Sequence, residues 1–226
     1  MAWSLQGNGQ PASGSGAGVT QITLASADAP AGAGDLLWLG VCIRDSATIE
    51  VDSVSDSVGN VWSRVFRFAT AGQGVEVWVA SANGAGDLSI GVTFTASCLH
   101  HLHAGVFTGG PASWAVTATN SSSASATTTH PAGELTGQDG ELLIAVSSVG
   151  TGFTVSSSAS DYVNLTLSAR AFSQYAVLTG PLTSDAAWIS TDAVSTVSAH
   201  VRVGESAAFQ PAWTGSATHR IGASLP

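Results

Sequence analysis

The side chains whose spacing could do chemistry are the histidines of the run from Leu99 to His103. On a strand, His101 and His103 would point to the same side, and such a pair can supply two ligands of a zinc or iron ion. A complete site needs a further ligand, and the spacing singles out none of the other histidines or acids. The pattern therefore favours histidines on a half-exposed strand face or at a subunit contact, with His101 and His103 kept as candidate metal ligands.

Four acidic residues, Asp45, Glu50, Asp52 and Asp56, lie close together in the sequence and could ligate calcium. Calcium takes about six to eight oxygen ligands, and the spacing of these four fits no calcium-binding loop. It favours a solvated strand edge, where charge discourages pairing with another edge.

Patterns for covalent catalysis find little support. Serines are abundant, but no Gly-x-Ser-x-Gly elbow occurs. All six basic side chains are arginines, so the chain has no lysine for a Schiff base or a phosphate-binding loop. No two carboxylates stand out as a pair for glycoside hydrolysis. We expect a protein that is not an enzyme and that carries no cofactor and no resident metal.

The composition points to a protein that assembles. Charged residues make up 9% of the chain, against roughly a quarter in an ordinary soluble domain. A surface solvated by hydroxyls instead of charges is poorly protected against association, which favours a homo-oligomer. The net charge of −9 argues against nucleic acid as a partner. Neither a secretory signal nor an apolar run long enough for a membrane helix is visible, so no membrane partner is expected.

Short runs of β-branched and aromatic residues between Gly, Asn, Asp and Pro clusters predict an all-β fold. We expect an antiparallel β-sandwich, and the strand pattern leaves jelly-roll-like and immunoglobulin-like topologies open. The nearly continuous apolar run from Leu36 to Ile43 predicts a central strand covered on both faces. Cys42 and Cys98 each lie in an apolar run, which predicts two buried thiols in preference to a disulfide.

The expected domain organisation is a flexible N-terminal arm at 1–18, a sandwich at 19–203 and a C-terminal arm at 204–226. The sandwich divides into weakly similar halves, 19–119 and 130–203, joined by a Ser/Thr-rich connector. Gly34-Asp-Leu-Leu37 opens the first half and Gly140-Glu-Leu-Leu143 opens the second. We expect both halves to contribute strands to one sandwich, because each is too short to build a core alone.

A turn and the terminal segments give two further predictions. The stretch Asp56-Ser-Val-Gly-Asn60 predicts a hairpin turn in which Gly59 takes a positive φ and Asp56 accepts hydrogen bonds from the backbone after it. In the terminal segments, bulky side chains predict anchors that dock on a neighbouring subunit. These candidate assembly contacts are Trp3, Phe209, Trp213 and Arg220.

Five motifs occur in an order that resembles a β-sandwich domain of tailed-bacteriophage virion proteins, of head-decoration or minor-tail type, which is also found in some bacterial surface proteins. The resemblance covers residues 19 to 148 well and the remainder loosely. The motifs are Gly34-Asp-Leu-Leu37, Val54-Ser-Asp-Ser-x-Gly-Asn-x-Trp62, Val77-Trp78-x-Ala80, Val106-Phe-Thr-Gly109 and Gly140-Glu-Leu-Leu143.

The resemblance implies a non-enzymatic virion structural protein. We expect a capsid decoration protein on the outer surface of the virion, assembled in the host cytoplasm and bound to the major capsid protein or other virion proteins. One alternative is a glycan- or receptor-binding module of a tail tip or cell surface, which predicts an exposed pair of Trp or Tyr side chains along a groove. The other is a metal-dependent jelly-roll enzyme that uses His101 and His103.

Overall fold

The computed structural model describes residues 2–16, 18–24, 28–44, 47–70, 72–168 and 170–206. Within these ranges the regular structure consists of seventeen β-strands in antiparallel sheets, with no α-helix. The predicted all-β sandwich class is therefore confirmed.

The first half of the chain builds one large and one small sheet. The large sheet has the strand order β1-β9-β4-β7-β6, with β2 also paired to β9, and the small sheet has the order β3-β8-β5. The strands are β1 (Ser4–Asn8), β2 (Ala12–Gly16), β3 (Thr20–Leu24), β4 (Leu36–Arg44), β5 (Val51–Asp56), β6 (Ser63–Thr70), β7 (Gln73–Ser81), β8 (Leu88–Phe94) and β9 (Cys98–Thr108).

The second half repeats this arrangement. Its large sheet has the order β10-β17-β12-β15-β14, with β13 also paired to β17, and its small sheet pairs β11 with β16. The strands are β10 (Trp114–His130), β11 (Leu135–Gly137), β12 (Leu142–Val149), β13 (Val155–Ser158), β14 (Val163–Ser168), β15 (Ala171–Val177), β16 (Leu182–Ser184) and β17 (Trp188–Glu205).

Both halves are jelly rolls. Strands pair from the outside of the sequence inward, β1 with β9, β3 with β8 and β4 with β7, as in one long hairpin that is rolled up. The second half pairs β10 with β17, β11 with β16 and β12 with β15. The topology that the sequence left open is thus a jelly roll, present twice.

The internal repeat extends to irregularities of the backbone. In each half, the first strand and the outer strand of the large sheet each have a bulge near their start. These bulges lie between Leu5 and Gly7, Val116 and Ala118, Arg64 and Phe66, and Asn164 and Thr166. Because a bulge shifts every later side chain to the other face, its recurrence at matching positions indicates that the two halves are copies.

The two large sheets pack face to face and form the central core. The small sheets cover their outer faces, so four layers lie in the order small, large, large, small. The central core draws on both halves, and its buried members include Trp38, Cys42, Val77, Phe107, Ile144, Val146, Val201 and Val203. Each half therefore has a core of its own and shares a third one with the other half, which corrects the expectation of a single sandwich built from two incomplete halves.

Gly40 of β4 and Val146 of β12 meet where the two large sheets approach closely. A Cβ atom on Gly40 would lie 2.9 Å from a Val146 methyl carbon, closer than packed carbons come. The two residues occupy the same position in the repeat, four after Leu36 and four after Leu142. The pseudo-twofold axis that relates the halves thus passes near this contact, and a glycine on one side makes room for the valine on the other.

The N-terminal segment differs from the flexible arm expected at 1–18. β1 and β2 both pair with β9, and Trp3 is buried in the central core with 4% of its surface exposed. Trp3 precedes its bulge as Trp114 precedes the matching bulge in β10. The segment is therefore the first strand of the first copy, and Trp3 is a core residue instead of a subunit anchor.

The Ser/Thr-rich connector is also part of the fold. Residues 120–129 lie within β10, which pairs with β17 along nearly its whole length. The boundary between the halves falls at 109–113, before this strand. The expected C-terminal arm differs as well, because β17 continues to Glu205. Phe209, Trp213 and Arg220 lie outside the described residues.

The turn at Asp56–Asn60 is not a hairpin. It leads from β5 in the small sheet to β6 in the large sheet, and these two strands do not pair with each other. Its local chemistry is as predicted, because Gly59 has a φ of 75° and Asp56 Oδ1 accepts hydrogen bonds from the backbone N–H groups of Val58 and Asn60. Asp56 Oδ2 also accepts one from Trp62 Nε1 at 2.6 Å.

We expect Asp56→Ala to destabilise the protein by about 2 kcal/mol, because three donors lose their acceptor at the corner between the sheets. Urea unfolding measures the loss. Asp52→Ala is the matched control, since Asp52 is exposed on β5, the strand that ends at Asp56, and should change stability by no more than about 0.5 kcal/mol. Equal effects of the two substitutions would contradict this role of Asp56.

The close approach at the pseudo-twofold axis gives a second prediction. Gly40→Val should destabilise by about 3 kcal/mol through overcrowding, and Val146→Gly by a similar amount through a cavity. Because the two positions are equivalent, the double variant exchanges their side chains and should recover about 2 kcal/mol of the summed loss in denaturant unfolding. Additive losses would show that the two residues do not share one packing site.

Candidate functional site

The candidate metal ligands lie between the two halves. His101 and His103 project from β9 on the same side, as predicted, toward β14 and β15 of the second half. His103 is fully buried, with Nδ1 3.1 Å from Ser173 Oγ and Nε2 3.2 Å from Ser168 Oγ. His101 Nδ1 lies 3.4 Å from the same Ser168 oxygen. We call His101, His103, Ser168 and Ser173 the histidine seam.

The seam joins the halves through neutral imidazoles. Burial lowers the pKa of His103 to about 3, and the charge of His101 adds to the effect. Burial is also the main cause that lowers the pKa of His101 to about 4, with smaller contributions from nearby Arg44, His100 and Arg170. Both rings are therefore uncharged at neutral pH. Serine hydroxyls of the second half lie within hydrogen-bonding distance of both nitrogen atoms of His103 and of Nδ1 of His101.

The seam offers no complete ligand set for a metal. Its remaining polar partners are serine hydroxyls, and no cluster of three or more His, Cys, Asp or Glu occurs among the residues that the structure describes. A structural zinc site uses about four nitrogen, sulfur or carboxylate ligands. The arrangement can hold two sheets together by hydrogen bonds, and within the described chain it brings no third ligand to the pair.

The seam has no counterpart at the equivalent position of the other copy. The pairing of β9 with β4 and of β17 with β12 matches His101 to Val197 and His103 to Ala199. The surface between the large sheets therefore has a polar contact on one side and apolar residues at the equivalent positions on the other. The sequence run of histidines indicated this position, but the partner serines lie 65 and 70 residues away and gave no signal.

The other described histidines are also held by hydrogen bonds inside the fold. His100 Nε2 lies 2.6 Å from Thr20 Oγ1, and His130 Nε2 lies 2.8 Å from Ser190 Oγ. His200 Nε2 is 2.8 Å from the hydroxyl of Tyr162. Each one ties together strands of its own half, so none of them is presented to solvent as a free base.

The acidic residues that were considered as calcium ligands do not gather around one point in the described structure. Glu50 pairs with Arg64 at 2.5 Å, and this bond lowers the pKa of Glu50. Asp52 is exposed on β5, and Asp56 is occupied in the turn described above. Asp45 lies outside the described residues. Glu50, Asp52 and Asp56 therefore form no calcium site. They lie in a surface ion pair, at an exposed strand position and in the turn, respectively.

Glu76 is the charged residue that sequence reasoning missed. It is fully buried on β7, where its carboxylate accepts hydrogen bonds from the backbone of Val51 at 3.0 Å and from Trp78 Nε1 at 2.9 Å. The guanidinium groups of Arg67 and Arg64 lie 3.5 and 3.6 Å away. Burial raises its pKa despite these partners. The sequence signal for this residue was a single acid within the apolar run Val75–Ala80. Through its bond to Val51, Glu76 fixes β5 of the small sheet onto the large sheet.

The aromatic residues are mostly inside. Trp38 and Trp188 are fully buried, and Trp62, Trp78 and Trp114 are half-buried. Within the described ranges, no Trp or Tyr side chain is exposed; the exposed large apolar side chains are Val, Leu and Ile. The aromatic pair along a groove that a sugar-stacking site requires is therefore not formed by the described residues. Cys42 and Cys98 are both buried, as predicted.

Comparisons of the chain with protein-family models, with curated proteins and with solved structures found no match in any of the three. In the described part of the chain, no helix is long and apolar enough to cross a membrane.

The histidine seam predicts acid sensitivity. His103 has a folded pKa of about 3 against about 6.5 when unfolded, so between these values the unfolded chain binds more protons and stability falls as the pH falls. His103→Gln should remove up to about 1.4 kcal/mol per pH unit from this dependence between pH 6 and pH 4. Urea unfolding at several pH values measures the slope.

Ser173→Ala is the matched control for this experiment. It removes a hydrogen-bond partner of His103 but leaves the titrating group in place. It should lower stability at every pH while the slope with pH stays as in the unchanged protein. If His103→Gln also left the slope unchanged, the protonation of His103 would not contribute to acid unfolding.

Proposed function

We propose that this protein is a non-enzymatic structural subunit of a tailed-bacteriophage virion, namely a capsid decoration protein that stabilises the head from outside. It would act as a homo-oligomer bound to the major capsid protein or other virion proteins. The mechanism is passive: additional buried interface over the junctions between shell subunits offsets the pressure of the packaged DNA.

The observation that carries the proposal is the outer edge of the second large sheet. β10 is seventeen residues long, contains no charged side chain and is paired on one side only among the described strands. Proteins that stay monomeric usually protect such edges with charge, as β6 of the other large sheet does with Arg64 and Arg67. An uncharged, hydroxyl-rich edge of this length is suited to being covered by a neighbour.

The interior supports a passive role. His103 and Glu76 have the environments that often mark catalytic groups, but both are fully buried and hydrogen-bonded to structural partners. A group sealed in this way cannot reach a substrate. The net charge of −9 also suits the outer surface of a virion, because packaged DNA would repel it.

Two features weigh against the alternatives. A glycan-binding module that stacks sugars on aromatic rings needs exposed Trp or Tyr side chains, and the described residues provide none. A metal-dependent jelly-roll enzyme needs a third metal ligand beside His101 and His103, and the described residues bring none to the pair. The resemblance of the motifs to virion proteins then favours the structural role.

Binding to shells tests the proposal. We expect the purified protein to be oligomeric by light scattering over a concentration series and to sediment with empty heads of its parent virus. The double variant Thr119→Lys and Thr128→Lys places charge on exposed positions of β10 and should weaken both associations at least about tenfold.

Gln21→Lys with Thr23→Lys is the matched control, because both residues are equally exposed on β3 of a small sheet. This control should leave association unchanged. A protein that is monomeric at all concentrations and fails to bind empty heads would overturn the decoration role. Equal losses in both double variants would show that β10 is not the contact.

A further inference from the structure

The dipeptide Asn-Gly occurs at two places in the chain, Asn8-Gly9 and Asn83-Gly84. Asparagine is a thermolabile residue, because the backbone nitrogen of the residue that follows it can attack its side-chain amide. A glycine in that following position hinders the attack least, since it has no side chain. The reaction also needs a nitrogen that is free of hydrogen bonds, so the fold decides which of the two dipeptides can react.

The first dipeptide is held in the large sheet. The backbone N–H of Gly9 donates to the carbonyl oxygen of Ala104 on β9 at 3.0 Å. The side chain of Asn8 donates to the carbonyl oxygen of Leu165 in the other half at 2.6 Å. A Cβ atom on Gly9 would lie 3.0 Å from the carbonyl oxygen of Thr23, so the backbone is also tightly packed. Attack by the nitrogen of Gly9 therefore requires this part of the fold to open first.

The second dipeptide lies in the loop between β7 and β8. Backbone hydrogen bonds to the segment before β4 anchor this loop at Ala82 and Gly86, on either side of the dipeptide. Between these anchors, the N–H of Gly84 has no hydrogen-bond partner among the described residues. A Cβ atom on Gly84 would meet no atom within 4 Å beyond its chain neighbours, and Asn83 is exposed. The attacking nitrogen and the amide that it attacks are thus both accessible.

Asn83 also connects this loop to the corner between β5 and β6. Its Nδ2 atom donates to the carbonyl oxygen of Gly59 at 3.1 Å, and its backbone N–H donates to Asn60 Oδ1 at 2.8 Å. A carboxylate in place of the amide would have no donor for the carbonyl oxygen of Gly59, because an ionised carboxylate only accepts hydrogen bonds. Conversion of Asn83 to an acid therefore removes the side-chain bond between the loop and the corner.

We propose that Asn83 is a site of spontaneous deamidation, which releases the corner from this loop. The backbone nitrogen of Gly84 bonds to Cγ of Asn83, the bond from Cγ to Nδ2 breaks, and Nδ2 leaves as ammonia with the proton of the Gly84 amide. Water then opens the succinimide ring, giving its hydroxyl group to one ring carbonyl carbon and its proton to the ring nitrogen. The product is aspartate or isoaspartate, and water is the only co-reactant. This modification is independent of the virion role proposed above.

Mass spectrometry of chymotryptic peptides follows both asparagines while the full chain is incubated in mildly alkaline buffer. Deamidation adds about one dalton, and we expect it at Asn83 at least about tenfold faster than at Asn8. In urea, where the sheet no longer protects Gly9, the two rates should become similar. Gly84→Ala has room for its methyl group and should slow the reaction at Asn83 at least about tenfold.

Three results of this experiment would overturn the site. They are an absence of any mass increase at Asn83, equal rates at Asn83 and Asn8 in the folded protein, and a rate at Asn83 that Gly84→Ala leaves unchanged. Failure to bind empty heads would affect only the decoration role.

Asn83→Asp stands in for the aspartate product and tests the release of the corner. It should lower the melting temperature by about 2 to 4 °C, because the hydrogen bond to Gly59 is lost. Asn164→Asp is the matched control, since it adds the same charge at an exposed position of β14 and should leave the melting temperature unchanged. Equal shifts in the two variants, or no shift in Asn83→Asp, would overturn the release of the corner.

Discussion

The burial of one large sheet against the other is the interaction on which the structure depends. β4 and β12 are apolar on both faces, so each large sheet needs two covers. The small sheet of the same half provides one cover, and the large sheet of the other half provides the second. A half by itself would expose the face that carries Trp38 or Ile144, so each jelly roll depends on the other to keep that face away from water.

The polar exceptions to this burial show how the two copies have diverged. One side of the shared core is fastened by His103 and two serines, whereas the small apolar Ala199 stands at the position equivalent to His103 on the other side. Buried polar groups stabilise only when they are fully hydrogen-bonded. His103 meets this condition, whereas the buried Oε1 atom of Gln73, the first residue of β7, has no partner among the described residues. The two sides of the shared core therefore differ in what holds them together, hydrogen bonds on one side and apolar packing on the other.

The two halves share a fold although their sequences are only weakly similar, and packing at their interface explains how. Where two side chains pack against each other, packing constrains their combined volume more than the identity of either one. Gly40 can therefore pack against the larger Val146 at the equivalent position of the other half. The bulges are kept because they set which face every later residue occupies. Backbone geometry is thus shared between the copies where side chains are not.

The sequence by itself determined the all-β class, the central strand at Leu36–Ile43, the buried thiols and the presence of two similar halves. Each of these depends on local composition or on motifs, which can be read along the chain. It also located His101 and His103, although not their partners.

Only the tertiary structure decided that the Gly/Ser-rich N-terminus and the Ser/Thr-rich segment 120–129 are strands. Their side chains show no apolar alternation, because much of their surface is solvated and their conformation is set by pairing with β9 and β17. The same holds for the buried Trp3. The strand that follows it, β1, pairs with β9, which lies far away in the sequence, and only the folded sheet brings the two together.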